Sequence, residues 1–409
     1  MKISLKGRSM MKNLLFKNSQ FEFETLRLFS AATSGMADIG EIITTSERIV
    51  DGDYNSWYQE WMKTAQRLHG IAHDYAVKGH FVSARKTYLR TYNYYRSAEF
   101  FLHENRNDPR ALKLTDLGLS CFNQVMKYNQ PIIEKVKIPY EGTTLPGHYY
   151  KCEETSEPRP VLILMTGYDG TKEEFYGLAM AALEHGMNCL AFEGPGQGEA
   201  LRHQHLYFRY DYEKVVTPVV NFVLTLDGIN PHKIVLWGQS LGGYLAPRAA
   251  AFEHRLAICV ANGGIYNFLN ALPNWKKFLD LALNNPNQCD QLQEEVEKTN
   301  PMFKWGIQNG MFVFGVDTLS KLVLKMKDFN MESTASKIQC PTLVVDGEEE
   351  HMFMGQAKQL YKALTCPKRF MLFTSEEGAG LHGQCGAKLL GNERILSWID
   401  ECLKKTINP

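Results

Sequence analysis

The chain has 409 residues, 44% of them hydrophobic and 22% charged, and Lys plus Arg equals Asp plus Glu at 45 each, so its formal net charge is zero. That balance excludes a strong basic field for nucleic acid or an anionic membrane, and it leaves small or neutral ligands as the expected partners. At about 150 residues per core, the length predicts two domains with room for an insertion.

The nine cysteines are odd in number and scattered, several lie inside apolar runs such as Ala257-Ile258-Cys259-Val260, and no Cys-x-x-Cys pair occurs. This pattern argues against a zinc cage or a disulfide framework and points to the cytoplasm. Residues 1–40 have irregular apolar spacing, and the tip is expected to be partly disordered. Leu14-Leu15-Phe16 is too short for a signal-peptide core, so neither export nor a membrane span is expected.

From residue 57 to 102 the apolar positions recur at three or four residues: Trp57, Trp61, Ala65, Leu68 and Ala72, then, after Gly79, Phe81, Ala84, Tyr88 and Leu89. The spacing predicts an antiparallel helix pair, and residues 112–128 supply a third helix. The aromatic run around Tyr88, Tyr92, Tyr94 and Tyr95 is read first as helix packing, and second as a wall over a binding site.

After Pro131 the period changes to two, which predicts a hairpin at a sheet edge over residues 132–150. Apolar strands then alternate with helices: residues 161–165, 189–192, 234–237, 257–260, 342–345 and 369–373. Near-continuous apolar strands separated by helices predict an α/β fold, with a mostly parallel sheet covered by helices on both faces. Residues 266–337 interrupt the alternation with helical stretches at 275–283, 288–298 and 312–329, and are read as a helical cap. The expected division is therefore an N-terminal helical domain, 1–130, and a catalytic domain, 131–409, carrying the insertion at about 266–337.

The chemistry centres on Gly238-Gln239-Ser240-Leu241-Gly242, a Gly-x-Ser-x-Gly pattern between an apolar strand and a small-residue helix. In that context a cramped turn lifts the serine hydroxyl above the sheet edge, and a Cβ at either flanking glycine would clash. Ser240 is the expected nucleophile. It needs a base and an acid from loops beyond the ends of later strands. His382, in the glycine-rich loop after the last strand, is the expected base.

For the acid, the turn after strand 342–345 offers Glu350 at the fourth position of a Gly-x-x-Asp-like turn, with Asp346 as the alternative; Glu348 and Glu349 read as a solvated edge. The oxyanion donors are expected to be the backbone N–H groups of Leu241 and Tyr168, with Gly167 allowing close approach. Gly167, Glu193 and Gln239 are the expected substrate contacts. Gly194-Pro195-Gly196-Gln197-Gly198 lacks the residues of a phosphate-binding loop and reads as a tight loop bordering the serine, with Glu193 and Arg202 as a structural ion pair. His203, His205 and His351 lack ligand-spaced partners and read as surface histidines, so no metal is expected.

These segments, together with Gly167-Tyr168-Asp169-Gly170-Thr171-Lys172-Glu173-Glu174 and Glu376-Glu377-Gly378-Ala379-Gly380-Leu381-His382, resemble the α/β-hydrolases related to FrsA. That family includes 2,6-dihydroxypseudooxynicotine hydrolase and the fungal melanin-pathway enzyme that shortens a heptaketide. The resemblance covers most of the chain, including Trp57, Trp61, Gly79, Ala84, Arg90 and Tyr94-Tyr95 of the helical front. It implies a front that covers the active site and helps form homodimers. It also implies a serine hydrolase that works without a cofactor on an ester or on a carbon–carbon bond beside a carbonyl, in an aromatic or apolar substrate. Two positions depart from the family pattern: Glu350 stands where Asp is usual, and Leu381 precedes His382 where a polar residue is common.

Overall fold

The computed structural model describes residues 14–129, 131–152, 157–272, 274–299 and 301–405. The tip for which disorder is expected lies at residues 1–13, outside them.

Five helices come first: α1 (Ser19–Ala32), α2 (Ile39–Ser46), α3 (Tyr54–Val77), α4 (Phe81–Glu99) and α5 (Pro109–Tyr128). Each has a local reason to start. Asn18 accepts from the N–H groups of Gln20 and Phe21, Asp38 from Gly40, Asp53 from Asn55 and Ser56, and Asp108 from Arg110, with Pro109 pre-set in the first turn of α5. Gly79, at φ +76°, reverses the chain between α3 and α4.

Helices α1 and α2 were not legible as periodic segments. The buried face of α1 includes Glu22, Glu24, Thr25 and Ser30, polar groups that bury because they are bonded. Glu22 accepts from the N–H groups of Leu14 and Phe16, and Glu24 accepts from Arg96.

The sheet has eight strands: β1 (Ile133–Tyr140), β2 (Thr143–Tyr150), β3 (Arg159–Met165), β4 (Asn188–Phe192), β5 (Ile229–Gln239), β6 (Ile258–Asn262), β7 (Thr342–Gly347) and β8 (Lys368–Phe373), in the order β1-β2-β4-β3-β5-β6-β7-β8. The β1–β2 hairpin joins β4 antiparallel, and all later pairs are parallel. Side chains alternate between two cores: Leu162, Leu164, Val235 and Trp237 face one, and Val161, Ile163, Ile234 and Leu236 the other. Both faces are covered, which is why these strands read as unbroken apolar runs.

The crossovers are α6 (Tyr176–Glu184), α7 (Gly198–Arg202), α8 (Glu213–Val223) and α9 (Gly242–Ala250). Between β6 and β7 the insertion forms α10 (Trp275–Asn284), α11 (Pro286–Gln291), α12 (Gln293–Thr299), α13 (Pro301–Phe314) and α14 (Leu319–Met326); α15 (Gln356–Ala363) and α16 (Lys388–Lys405) complete the chain. The helix expected over 288–298 is broken at Leu292, and the one expected over 312–329 breaks at Gly315, whose φ is +64° and whose Cβ position would meet the Tyr207 ring. Thr318 then caps α14.

The aromatic stripe of α4 is packing material: Tyr94 lies on Trp61 with centroids 5.2 Å apart, and Tyr92 on Phe122 at 5.5 Å. The N-terminal helices also touch the insertion, where Phe100 stacks on Trp305 at 4.7 Å.

Candidate active site

Strand β5 runs into Ser240, whose φ of +61° is a left-handed conformation that an L-residue adopts only when its surroundings enforce it. Glycines make that enforcement possible. A Cβ on Gly238 would lie 1.9 Å from the Gly242 carbonyl oxygen, and one on Gly243 would lie 2.4 Å from that of Gly263. The Ser240 N–H is taken by the Asn262 carbonyl at 2.8 Å, and Oγ is left for other partners.

One partner is His382, with Nε2 2.8 Å from Ser240 Oγ. On its other side, Nδ1 of His382 lies 2.5 Å from Oε2 of Glu350. The loops that carry these groups are tied together: the Glu349 N–H donates to the Gly380 carbonyl at 2.8 Å, and a Cβ on Gly347 would collide with that same carbonyl. The second oxygen of Glu350 accepts from Met352 and Phe353 N–H at 2.9 and 3.2 Å. Burial alone would raise the Glu350 carboxyl, but the adjacent His382 and these N–H groups outweigh it, leaving it at about 2.

Asp346, the alternative acid, is turned elsewhere: its Oδ1 accepts the Gly347 N–H, and burial with the nearby Glu350 charge raises it to about 6. Glu348 and Glu349 bond Ser375.

Gly167 presses on the serine turn, and a Cβ there would sit 2.6 Å from Leu241 N and 2.7 Å from Ser240 Cβ. Among the described residues, the N–H groups of Leu241 and Tyr168 donate to no protein group. Unpaired, well-fixed donors beside a nucleophile are what a developing oxyanion needs. The Tyr168 side chain is occupied: its hydroxyl donates to the Gly306 carbonyl at 2.8 Å, and its ring packs edge-on to Phe268 and Trp305.

The next residue, Asp169, anchors the N-terminal helices. Arg27 of α1 reaches Asp169 at 2.8 Å and Glu174 at 2.6 Å, while Arg96 of α4 reaches Glu24 and Glu174, each at 3.1 Å. Two cations thus hold one buried carboxylate, Glu24, and two half-buried ones, Asp169 and Glu174, in one cluster that joins α1 and α4 to the turn after β3. Sequence reasoning missed this cluster, because Arg27 and Asp169 are distant in the chain and carry no motif.

The polar groups of two expected substrate contacts have partners within the protein. The Glu193 carboxylate is buried against Lys172, with Oε2 3.2 Å from Nζ, and also accepts from the N–H groups of Lys172 and Glu199. The expected Glu193–Arg202 pair is not made, since Arg202 binds Glu99 at 2.8 Å. Burial would raise Glu99, yet Arg202 brings it down to about 2. A cavity of about 30 Å³, room for about one water, lies among Tyr92, Glu99, Glu173, Glu199 and Arg202, away from the serine. Gln239 Oε1 accepts from Asn262 Nδ2 at 2.8 Å, within an amide network that continues to Gln384.

His203 and His205 are exposed as expected, whereas His351 is half-buried: its ring packs edge-on to Phe23 at 5.6 Å and its Nε2 is buried. Among the described residues no cluster of three or more His, Cys, Asp or Glu could hold a metal ion, and no helix is long and apolar enough to cross a membrane. All nine cysteines are free thiols.

A parallel sheet with a serine turn at the end of a central strand is the architecture of one large enzyme class, and sequence comparison places the chain in it. Residues 160–382 match the family described as alpha/beta hydrolase fold. The chain is 32% identical to hydrolase LUC6 of Fusarium sp, over 95% of this chain and 97% of that protein. It is 31% identical to 20-hydroxy-prefusarin hydrolase FUS2 of Gibberella moniliformis, over 94% and 97%. The crystal structure of 2,6-dihydroxy-pseudo-oxynicotine hydrolase superposes with a TM-score of 0.72 at 21% identity, covering 91% of this chain and 94% of that one. The chain belongs to the α/β-hydrolase family and is a hydrolase.

Proposed function

We propose that the protein is a serine hydrolase that opens a carbonyl substrate through an acyl-enzyme. Ser240 Oγ attacks the carbonyl carbon while Nε2 of His382 takes its proton, and the Leu241 and Tyr168 N–H groups hold the oxyanion. Collapse of the tetrahedral intermediate expels the leaving group, which receives the proton from His382. Water then attacks the ester on Ser240, again giving its proton to His382, and the carboxylic acid leaves. Glu350 keeps the imidazole in the tautomer that presents Nε2 as the acceptor.

The observation that carries this reading is the unbroken chain Ser240–His382–Glu350, with separations of 2.8 and 2.5 Å. It also argues against a non-catalytic, metabolite-binding relative of this fold, because the glutamate at the acid position reaches the imidazole.

The substrate proposed is a flat, largely apolar carbonyl compound of polyketide type, cleaved at an ester or at a carbon–carbon bond whose carbanion leaves as an enolate. Aromatic rings adjoin the reacting groups: Phe353 lies 5.5 Å from the His382 ring, Phe268 6.0 Å from Phe353, and Tyr168 5.6 Å from Phe268. Such rings favour planar apolar ligands. The relative named for 20-hydroxy-prefusarin accords with that class.

The test is covalent capture. A fluorophosphonate is expected to label Ser240 and no other residue, and mass spectrometry should find an acyl group on Ser240 with a p-nitrophenyl ester or an aryl β-diketone. Full turnover by Ser240→Ala would sink the mechanism.

A further inference from the structure

The loop between β4 and α7 contains a side chain that neither the motif nor the proposed chemistry uses. Gln197 is 1% exposed, and all of its polar capacity is spent. Its Oε1 accepts from Gly194 N–H at 3.0 Å and from the Tyr212 hydroxyl at 3.2 Å. Its Nε2 donates to the Thr166 carbonyl at 2.7 Å and, more weakly, to that of Gly167 at 3.4 Å. The loop itself is closely packed: Gly196 has φ +87°, and a Cβ there would lie 2.2 Å from the Phe208 ring.

Those two carbonyls belong to the turn that carries the Tyr168 N–H. The Gly167 carbonyl and the Tyr168 N–H share one planar trans peptide, so they point in opposite directions. A donor that draws the carbonyl toward the β4–α7 loop turns the N–H the other way, and the other side of Gly167 is packed against Ser240 and Leu241. Bonding to the carbonyl also polarises the peptide and strengthens its N–H as a donor. On the far side of Tyr168 the next peptide is held in the same manner, because Asn309 of α13, fully buried, donates Nδ2 to the Tyr168 carbonyl at 3.0 Å. Both planes flanking Tyr168 are therefore gripped by side-chain amides from elements that are remote in sequence.

We propose that Gln197 is a positioning residue which, braced by Tyr212, aims the Tyr168 N–H at the substrate oxygen. The inference rests on the proposed acyl-enzyme reading and adds to it the device that sets one oxyanion donor. An amide is required because the loop side demands an acceptor and the turn side a donor. A carboxylate would set negative charge against two carbonyl oxygens.

The test compares wild type with Gln197→Met, Gln197→Glu and Tyr212→Phe. It uses p-nitrophenyl acetate, a fluorophosphonate, and a matched pair of inhibitors, an aryl trifluoromethyl ketone and the corresponding methyl ketone. The trifluoromethyl ketone adds Ser240 and places an oxyanion in the hole; the methyl ketone binds as a neutral carbonyl. Gln197→Met is expected to lower kcat about 10–100-fold with KM within a factor of two, less than or equal to the loss from deleting a donor outright. It should weaken the trifluoromethyl ketone by the same factor and leave the methyl ketone unchanged. Gln197→Glu should lose at least as much.

Tyr212→Phe keeps the glutamine and frees one of its anchors, so a several-fold fall in kcat at constant KM is expected even if both Gln197 variants fail to fold. Equal losses for the two ketones, or unchanged kcat in a folded Gln197 variant or in Tyr212→Phe, would overturn the assignment. Wild-type protein that labels at Ser240 while the variants label at the same rate sinks this inference alone; wild-type protein that does not label sinks it together with the reading beneath it.

Discussion

The carboxylate of Glu350 reaches Nδ1 of His382 at 2.5 Å although it carries one methylene more than the aspartate usual at that position. The other oxygen of Glu350 is held by the N–H groups of Met352 and Phe353, which fix the side chain from behind. Replacing Glu350 by Gln keeps those two acceptor bonds and turns an N–H toward His382. The imidazole then favours the tautomer with its proton on Nε2, facing Ser240, where it can no longer act as the base. A fall of about 10⁴-fold in kcat is expected for Glu350→Gln, read with an activated ester on protein whose melting curve stays cooperative. Glu350→Asp withdraws the carboxylate by about one bond length, and about 10–100-fold is expected. A Glu350→Gln enzyme with near-native kcat would remove Glu350 from the mechanism.

The turn after β3 tolerates no side chain at residue 167. In Gly167→Ala the new methyl must find room 2.6 Å from Leu241 N and 2.7 Å from Ser240 Cβ, both attached to backbone rather than to movable side-chain ends. Displacing either separates the proposed nucleophile from its proposed donors, and a 1 Å error at a reacting centre costs about 10²-fold. The expected outcome is a kcat lower by at least that factor and a slower reaction with fluorophosphonate. Wild-type rates in this variant would mean that the turn lies farther from the reacting atoms than its geometry indicates.

The N-terminal helices are joined to that turn by charge. Arg96 has an 8% exposed side chain and contacts Glu24 and Glu174, whose own side chains are 3% and 19% exposed. Arg96→Met keeps most of the apolar stem but deletes the cation, together with its stacking on the Phe100 ring, and leaves one buried and two half-buried carboxylates to share Arg27. Removing one partner from a buried ion pair costs about 3–5 kcal/mol, mostly because the orphaned charge stays desolvated. Urea denaturation should show a loss of that size. A change below 1 kcal/mol would show that the carboxylates take up protons, or find other partners, at little cost.

Sequence patterning showed the sheet and the serine turn clearly, and the reasons are physical. Strands such as Val161–Met165 are buried on both faces, so every residue is apolar, and the turn at Ser240 can be built only with glycines at 238 and 242. Order along the chain singles out His382 and Glu350, and the structure sets the two side chains 2.5 Å apart. What stayed hidden depends on polar burial between segments far apart in sequence. Gln197 looked like one more residue of a tight loop, Glu193 looked like an ion-pair partner for Arg202, and α1 hid behind buried glutamates. Each of these is satisfied by a group dozens of residues away, such as Thr166, Lys172 or Arg96, and hydrophobic periodicity carries no trace of such pairings.

Asp346 gives the last expectation, because its titration runs opposite to that of Glu350. Burial and the nearby Glu350 charge raise Asp346 from an ordinary value of 3.8 to about 6, with Lys358 and His382 acting the other way. A carboxyl whose folded-state value lies above its unfolded one holds its proton more tightly when folded, so stability falls as pH rises from about 4 through about 6. Glu350, lowered from 4.5 to about 2, contributes stability that is complete above about 4.5 and is lost as pH drops toward 2. Asp346→Asn can keep its bond from the Gly347 N–H while removing the ionisation. Its melting temperature is therefore expected to exceed that of wild type at pH 7.5 and to match it at pH 4. Because Asp346 makes no contact with Nδ1 of His382, kcat should stay within about threefold of wild type, a loss of no more than about 0.7 kcal/mol in barrier terms. A collapse of activity in Asp346→Asn, with Glu350→Gln still active, would transfer the role of orienting His382 from residue 350 to residue 346.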